Sequence, residues 1–378
     1  MGRRTRVLAA TAGALIASLA LAVPAQAATG GTACKPAVKV LKALPGPDPA
    51  EPSPWIEDTQ VNGIGPLGLA VGVSHDKPAY WLGTSVHAVP LPAGYTRGRV
   101  EAVNRWGLMV GTIHGPDGWR AFSYRPWTPA VTLLPGGQYA NDVNDHGRIV
   151  GFRYTGSGAV GLEWAGTTLR RELTVPAGFH LDAVTGINNA GQIVGHGWGD
   201  GTPDDPYGPN PGLLWPADPA AAPVQLQPPG GNYEIYRPKA VDSAGRVVGL
   251  YWNSRGMIDT SVQWAAPYTG VTRVPHLAGR TSGGFEDISP TKNISVGIAS
   301  DSLYEYPPDE PPPVQAQYWP GSGPMKALPR LAPGGFSAAY AVTDRDQVGG
   351  VAVDAKGIER PVIWTCASKQ AHTPGSAA

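Results

Sequence analysis

Two carboxylates, Glu101 and Glu286, occupy matching places in a repeated sequence. Paired carboxylates are the equipment of glycoside hydrolysis or of a lyase, one giving a proton while the other takes one. They belong to a larger set. Asn62, Glu101, Asn141, Thr185, Lys239, Glu286 and Tyr340 each stand two residues ahead of an aliphatic residue that ends a strand-like segment, and Asp142 and Asp287 sit beside two of them. The framework around these positions is regular while their chemistry changes. One reading makes them the lining of a channel mouth that holds a polar ligand such as a sugar. The other makes them solvated or hydrogen-bonded residues of the fold.

Other chemistry is thinly represented. No Gly-x-Ser-x-Gly elbow, His-Glu-x-x-His pair or phosphate-binding loop occurs. His75, His114 and His196 lack the close pairing of a zinc site. Asp200-Gly201-Thr202-Pro203-Asp204-Asp205 lacks the spacing and bidentate Glu of a calcium loop, so neither a metal site nor a cofactor is expected. A binding module for a carbohydrate or protein ligand is therefore favoured over an enzyme; the alternative is a carbohydrate-active enzyme, hydrolase or lyase. Lys plus Arg equals Asp plus Glu at 29 each, and no basic stripe extends beyond Arg97-Gly98-Arg99 and Arg170-Arg171, which argues against nucleic acid.

The seven positions are carried by a repeat. Val143-Asn144-Asp145-His146-Gly147-Arg148-Ile149-Val150-Gly151 reads as the tip of a β-hairpin, with Asn144 bonding back to the turn and Gly147 supplying its left-handed residue. The pattern returns from Val103-Asn104, Ile187-Asn188 and Val241-Asp242. Weaker copies start at Ile64-Gly65, Ile288-Ser289 and Val342-Thr343, the last closing on Val348-Gly349. Each unit has four strand-like segments, as in 99–103, 108–113, 119–124 and 130–134. The third segment ends on an aromatic in every unit: Trp81, Tyr124, Trp164, Trp215, Trp264, Trp319 and Trp364. A large ring in each unit is suited to bridging neighbouring sheets, its N–H needing a single partner. Four-stranded units of ~40–50 residues, repeated seven times, predict an all-β fold, a seven-bladed β-propeller whose small sheets stack radially.

The two ends of the repeat argue for a closed ring. The last unit has three strands and lacks a fourth, while Val38–Gly46 is an unassigned strand that shares Lys-Ala-Leu-Pro with the fourth strand of unit six, Met325–Pro329. An N-terminal strand completing the last blade is expected. Cys34 and Cys366, the only cysteines, flank that junction, where a disulfide would replace the missing turn. The propeller then spans 28–366. It follows a signal peptide, 1–27, read from Arg3, Arg4 and Arg6, an apolar run from Val7 to Val23, and Ala25-Gln26-Ala27. The small polar tail, 367–378, is expected to be disordered. These features predict a secreted, extracellular monomer with no membrane span in the mature chain. Excursions at 199–211 and 300–313 enlarge equivalent turns on one rim, the usual place for recognition loops.

Arg120-Ala121-Phe122, following the Val-Asn…Gly…Val-Gly hairpin of its unit, resembles the His-Ala-Phe triplet of the bacterial extracellular HAF-repeat family. The resemblance spans all seven units, from Asn62 to Trp364; Val160-Gly161-Leu162 and Gly212-Leu213-Leu214 stand in the triplet's place in two others. It implies an exported repeat protein and carries no catalytic residues with it.

Overall fold

The computed structural model describes residues 34–46, 59–200, 210–226, 234–253, 258–301 and 313–375. The expected signal segment, and most of the two excursions expected on one rim, lie outside these residues. The chain divides into Met1–Cys34, described only at Cys34, and Lys35–Ala378.

Among the described residues of Lys35–Ala378 the regular elements are β-strands apart from one 3-10 turn and one short helix. Six hydrogen-bonded sheets are present among the described residues, five of four strands and one of eight. The eight-stranded sheet is two four-stranded meanders joined by the single pair Ala159 and Leu181. The result is seven antiparallel meanders, here sheets 1 to 7. Their first strands are Thr59–Ile64, Arg97–Val103, Tyr139–Val143, Phe179–Ile187, Glu234–Val241, Ser282–Ile288 and Ser337–Val342. Middle strands such as Met109–Gly115 are buried along most of their length, because a neighbouring sheet covers each face. That is why they read as runs of Val, Ile and Gly rather than as polar–apolar alternation.

Each sheet packs on the next through an apolar cluster, and the repeated aromatic of one sheet sits on the sheet before it. Trp164 meets Val110, Ala121 and Leu134 of sheet 2, and Trp364 meets Tyr318 and Leu328 of sheet 6. Trp81 of sheet 1 packs with Leu41 and Ile363 of sheet 7, so the last sheet lies against the first. A buried indole still needs an acceptor. Trp164 Nε1 donates to the Pro135 carbonyl at 3.0 Å, Trp215 to Thr174 at 2.6 Å, Trp364 to Pro329 at 2.8 Å and Trp81 to Lys42 at 2.7 Å. The acceptor follows the fourth strand of the preceding sheet in every one of these cases.

Sheet 7 takes that fourth strand from the other end of the chain. Ala37–Val40 runs antiparallel to Glu359–Thr365, with Ala37 opposite Thr365 and Val40 opposite Val362. Leu41 then donates its N–H to the Pro361 carbonyl, just as Leu134 does to Ala121 and Leu328 to Ala316. Leu41 therefore takes the place of Leu328. The shared Lys-Ala-Leu-Pro string would have put Leu44 there and does not set the register. Burial does: Leu41 is 3% exposed beneath Trp81, whereas Leu44 is half-buried. Cys34 and Cys366 are disulfide-bonded.

The tail corrects an expectation. Residues 367–375 take a defined path: Ala367–Gln370 is a helical turn with Ala367 buried, and His372 exchanges two backbone hydrogen bonds with Ala327, at 2.8 and 3.0 Å. Composition suggested a solvated tail. The short outer strand of sheet 6, Lys326–Ala327, otherwise presents an unpaired edge, and the tail covers it.

Candidate functional site: a channel lined by seven bulges

Every first strand slips register at the same place. The slips fall between Val61 and Gly63, Val100 and Ala102, Ala140 and Asp142, and Val184 and Gly186 in sheets 1 to 4. In sheets 5 to 7 they fall between Pro238 and Ala240, Phe285 and Asp287, and Ala339 and Ala341. The residue skipped is, in turn, Asn62, Glu101, Asn141, Thr185, Lys239, Glu286 and Tyr340. A β-bulge releases one residue from the ladder and re-aims its side chain. All seven line one cavity of about 810 Å³.

The bulge also accounts for the repeated glycine on the second strand. A Cβ at Gly151 would lie 1.9 Å from the Tyr139 carbonyl oxygen, and one at Gly111 would lie 2.1 Å from that of Arg99. In sheet 7 the residue in this place is Gly350, 2.0 Å by the same measure from the Ala338 oxygen, not Gly349 as the Val348-Gly349 reading had it. Gly349 stands where other units have valine because sheet 1 presses on it: a Cβ there would meet Val61 at 2.6 Å.

Asn62, Asn141 and Thr185 are held by hydrogen bonds to the neighbouring sheet. Asn62 donates to the Val100 carbonyl at 2.9 Å, Asn141 to Val184 at 2.7 Å and Thr185 to Pro238 at 2.9 Å. Each acceptor is the carbonyl beside the next sheet's bulge. At the hairpin tips a parallel relay runs from Asn104 to the Asn144 carbonyl, Asn144 to Asn188, and Asn188 to Asp242, at 3.0, 3.0 and 2.8 Å. Asn144 Oδ1 accepts from the His146 and Arg148 N–H groups, the turn expected from the sequence.

The charged members are arranged differently. Lys239 Nζ lies 2.8 Å from Glu286 Oε2. Glu101 has Arg99 at 3.8 Å and is 24% exposed; burial holds its carboxyl above the ordinary range, against the pull of Arg99. His196 approaches Asp182 at 3.3 Å, yet burial holds its imidazole below the ordinary range. His75, in the turn after Leu69–Ser74, and His114, on Met109–Gly115, belong to sheets 1 and 2 instead. Sequence reasoning missed Gln60 and Arg99, which line the same cavity. Each stands two residues before a bulged position, and residues i and i+2 share a strand face. Gln60 is buried and donates Nε2 to Asn62 Oδ1 at 2.7 Å, leaving its Oε1 with no partner among the described residues.

Asp142 and Asp287 also line the cavity, each next to a bulged residue. Asp142 accepts from the Val143 and Ile187 N–H groups at 2.7 and 2.8 Å, and Asp287 from Ile288 and Val342 at 2.8 and 2.7 Å. Burial outweighs these donors. It raises Asp142 to about 6 and Asp287 to about 8, the charges of Asp142 and Glu286 adding to the second. A folded-state value above the unfolded one means that the native protein holds the extra proton. The stability this gives is full below pH ~4 and lost as pH rises through about 8. The melting temperature should therefore fall between about pH 5 and pH 8, and Asp287→Asn should flatten that slope. A variant with the native slope would remove Asp287 as its source.

No family model matches the chain, and no curated protein is similar to it. Among solved structures it is similar to the β-propeller domain of the Trilobed protease from Pyrococcus furiosus, at a TM-score of 0.52 and 8% identity over 81% of this chain and 95% of that one. A protein described as TolB from Agrobacterium tumefaciens is similar at a TM-score of 0.41 and 12% identity, over 68% of this chain and 86% of that one. A gluconolactonase from Xanthomonas campestris is similar at 0.40 and 10%, over 72% and 91%. The fold is that of a β-propeller.

Proposed function

We propose that this is an exported seven-bladed β-propeller, closed by its N-terminal strand, that serves as a binding module for a polyhydroxylated ligand such as a cell-envelope polysaccharide. Seven meanders packed in succession, with Ala37–Val40 as the fourth strand of the last, support the blade count and the closure. The disulfide and the character of residues 1–27 support export. One observation carries the binding reading: a single cavity receives one bulged side chain from every sheet, with donors and acceptors interleaved. Hydroxyl groups both donate and accept, so they match Glu101, Lys239, Glu286 and the unpartnered Gln60 oxygen better than an ion of one sign would.

A second reading rests on the carboxyls. Burial raises Glu101, and Glu286 lies 2.8 Å from Lys239; two carboxyls in different surroundings on one cavity are what acid and base catalysis needs. One experiment serves both readings: a glycan array followed by incubation with each retained glycan. The binding module retains its glycan, releases it unchanged and loses affinity in Glu101→Gln and Lys239→Ala. Cleavage that disappears in Glu101→Gln selects the enzyme, and retention unaffected by either substitution rejects the channel.

A further inference from the structure

The residue just before the turn glycine varies from sheet to sheet. It is His146, Ala190 and Ala244 in sheets 3, 4 and 5, but Leu67 in sheet 1 and Trp106 in sheet 2. Leu67 is 95% exposed and holds a φ of 55°, a left-handed conformation that leucine disfavours. Trp106 is 57% exposed. The turns between the third and fourth strands of the same two sheets add Leu82, at 49%, and Trp127, at 69%. Large apolar side chains projecting together from adjacent turns mark an interaction surface.

These tips touch one another within each sheet, and the two sheets are neighbours. Gly83 N–H bonds to the Gly68 carbonyl at 3.3 Å. A Cβ at Gly107 would meet the Trp127 ring at 3.7 Å and Leu69 of sheet 1 at 3.8 Å. The indoles are held in place: Trp106 Nε1 donates to the Asp145 carbonyl at 3.0 Å, and the Arg105 guanidinium lies 4.7 Å from the Trp106 ring centre. Arg125 donates to the Trp106 carbonyl at 3.0 Å and lies 5.5 Å from the Trp127 ring centre. The turns 64–68, 82–85, 104–108 and 124–130 contain these two arginines and no acidic residue. Arg125 has no carboxylate partner among the described residues. The nearby Asp145 accepts from the Arg105 N–H at 2.9 Å and from Asn189 at 2.8 Å, with the Arg105 side chain at 3.7 Å.

We infer that this rim seats on a membrane surface bearing anionic phospholipids. Indoles settle at headgroup level, leucines reach the acyl boundary, and arginines meet phosphate. The charge is complementary, and the surface is a set of convex tips. A sugar chain stacking on the indoles would leave Leu67 and Leu82 without a role, whereas insertion uses all four side chains. The inference does not rest on the channel reading, because none of the four lines the cavity.

Flotation of the full protein with vesicles of phosphatidylcholine, alone or mixed with phosphatidylglycerol, tests it. The native protein should float with the anionic vesicles and stay behind with the neutral ones. The double variant Leu67→Ser, Trp127→Ser should bind about a hundredfold more weakly, since each lost apolar contact is worth roughly tenfold. Arg125→Gln should need less salt to release, while Ala244→Ser, at the matching tip of sheet 5, should float like the native protein. A native melting temperature in each variant confirms folding. Native protein that ignores anionic vesicles, or a double variant that floats undiminished, overturns the inference. So does loss of retention on immobilised polygalacturonate, without lipid, in the same double variant: that outcome would assign the surface to an acidic glycan.

Discussion

Replacing Glu163 by alanine should cost about 3–5 kcal/mol of stability, the largest effect expected of any single substitution in this chain. Glu163 lies on the third strand of sheet 3, Gly158–Ala165, and its side chain is completely buried. Its Oε1 is 2.6 Å from both Arg148 Nε and Arg170 Nη1, and its Oε2 is 2.7 Å from Arg171 Nε. Burial pushes this carboxyl up, but the three guanidiniums more than reverse that and leave it below the ordinary range. Without it, three cations face one another with nothing between them. Arg148 Nη2 and Arg171 Nη2 are already buried without partners among the described residues, so no spare acceptor is close among them. Arg171 also donates to the Pro219 carbonyl beyond sheet 3, and that tie would loosen too. Glu163→Gln keeps the volume and one acceptor, and should fall between alanine and the native protein. Denaturant unfolding measures all three, and an alanine variant with the native midpoint would contradict this account of the Glu163 cluster.

Opening the disulfide should have the second large effect. A bond between residues 34 and 366 closes nearly the whole described chain into one loop. Chain-entropy arithmetic gives about 5–6 kcal/mol for such a loop, an upper bound because unfolded chains retain structure. The double variant Cys34→Ser, Cys366→Ser should lose part of this and fray first at Ala37–Val40. That strand is only four residues long, and beyond its ladder bonds the nearby supports include the Thr365 hydroxyl, which lies 2.9 and 3.2 Å from the Lys35 and Ala37 carbonyls, the Gln370 amide, which donates to Ala37 at 3.2 Å, and Leu41. Hydrogen exchange should show protection lost at residues 37–41 before any other strand. Uniform protection in the serine variant would mean that strand pairing alone holds the seam.

The two effects differ in how far the sequence announces them. The cysteines and the orphan strand are legible because they break a repeat: a missing fourth strand and an extra first one call for each other. The Glu163 cluster is not, since Arg148 follows the turn glycine and Arg170 and Arg171 read as a short basic run; only the cross-strand register of Glu163 with Arg171 and of its neighbours brings them together. The seven cavity residues were legible as a column of variable chemistry. Their bulges were not, because the Val-Gly of the second strand signals close approach only once its partner strand is known. The exchange of Leu44 for Leu41 and the docked tail share a cause. Local strings and composition carry no information about which edge or which tryptophan a segment will cover.

The claim on which the functional account depends is that bulged side chains from every sheet converge on one ligand. The most direct measurement is a crystal structure of the protein with the glycan that the array selects. The account predicts density within the channel, with hydroxyl groups in hydrogen-bond range of Glu101, Lys239, Glu286 and the Gln60 Oε1 oxygen. A glycan seated on an outer strand or a distant loop, with the channel holding only water, would contradict it.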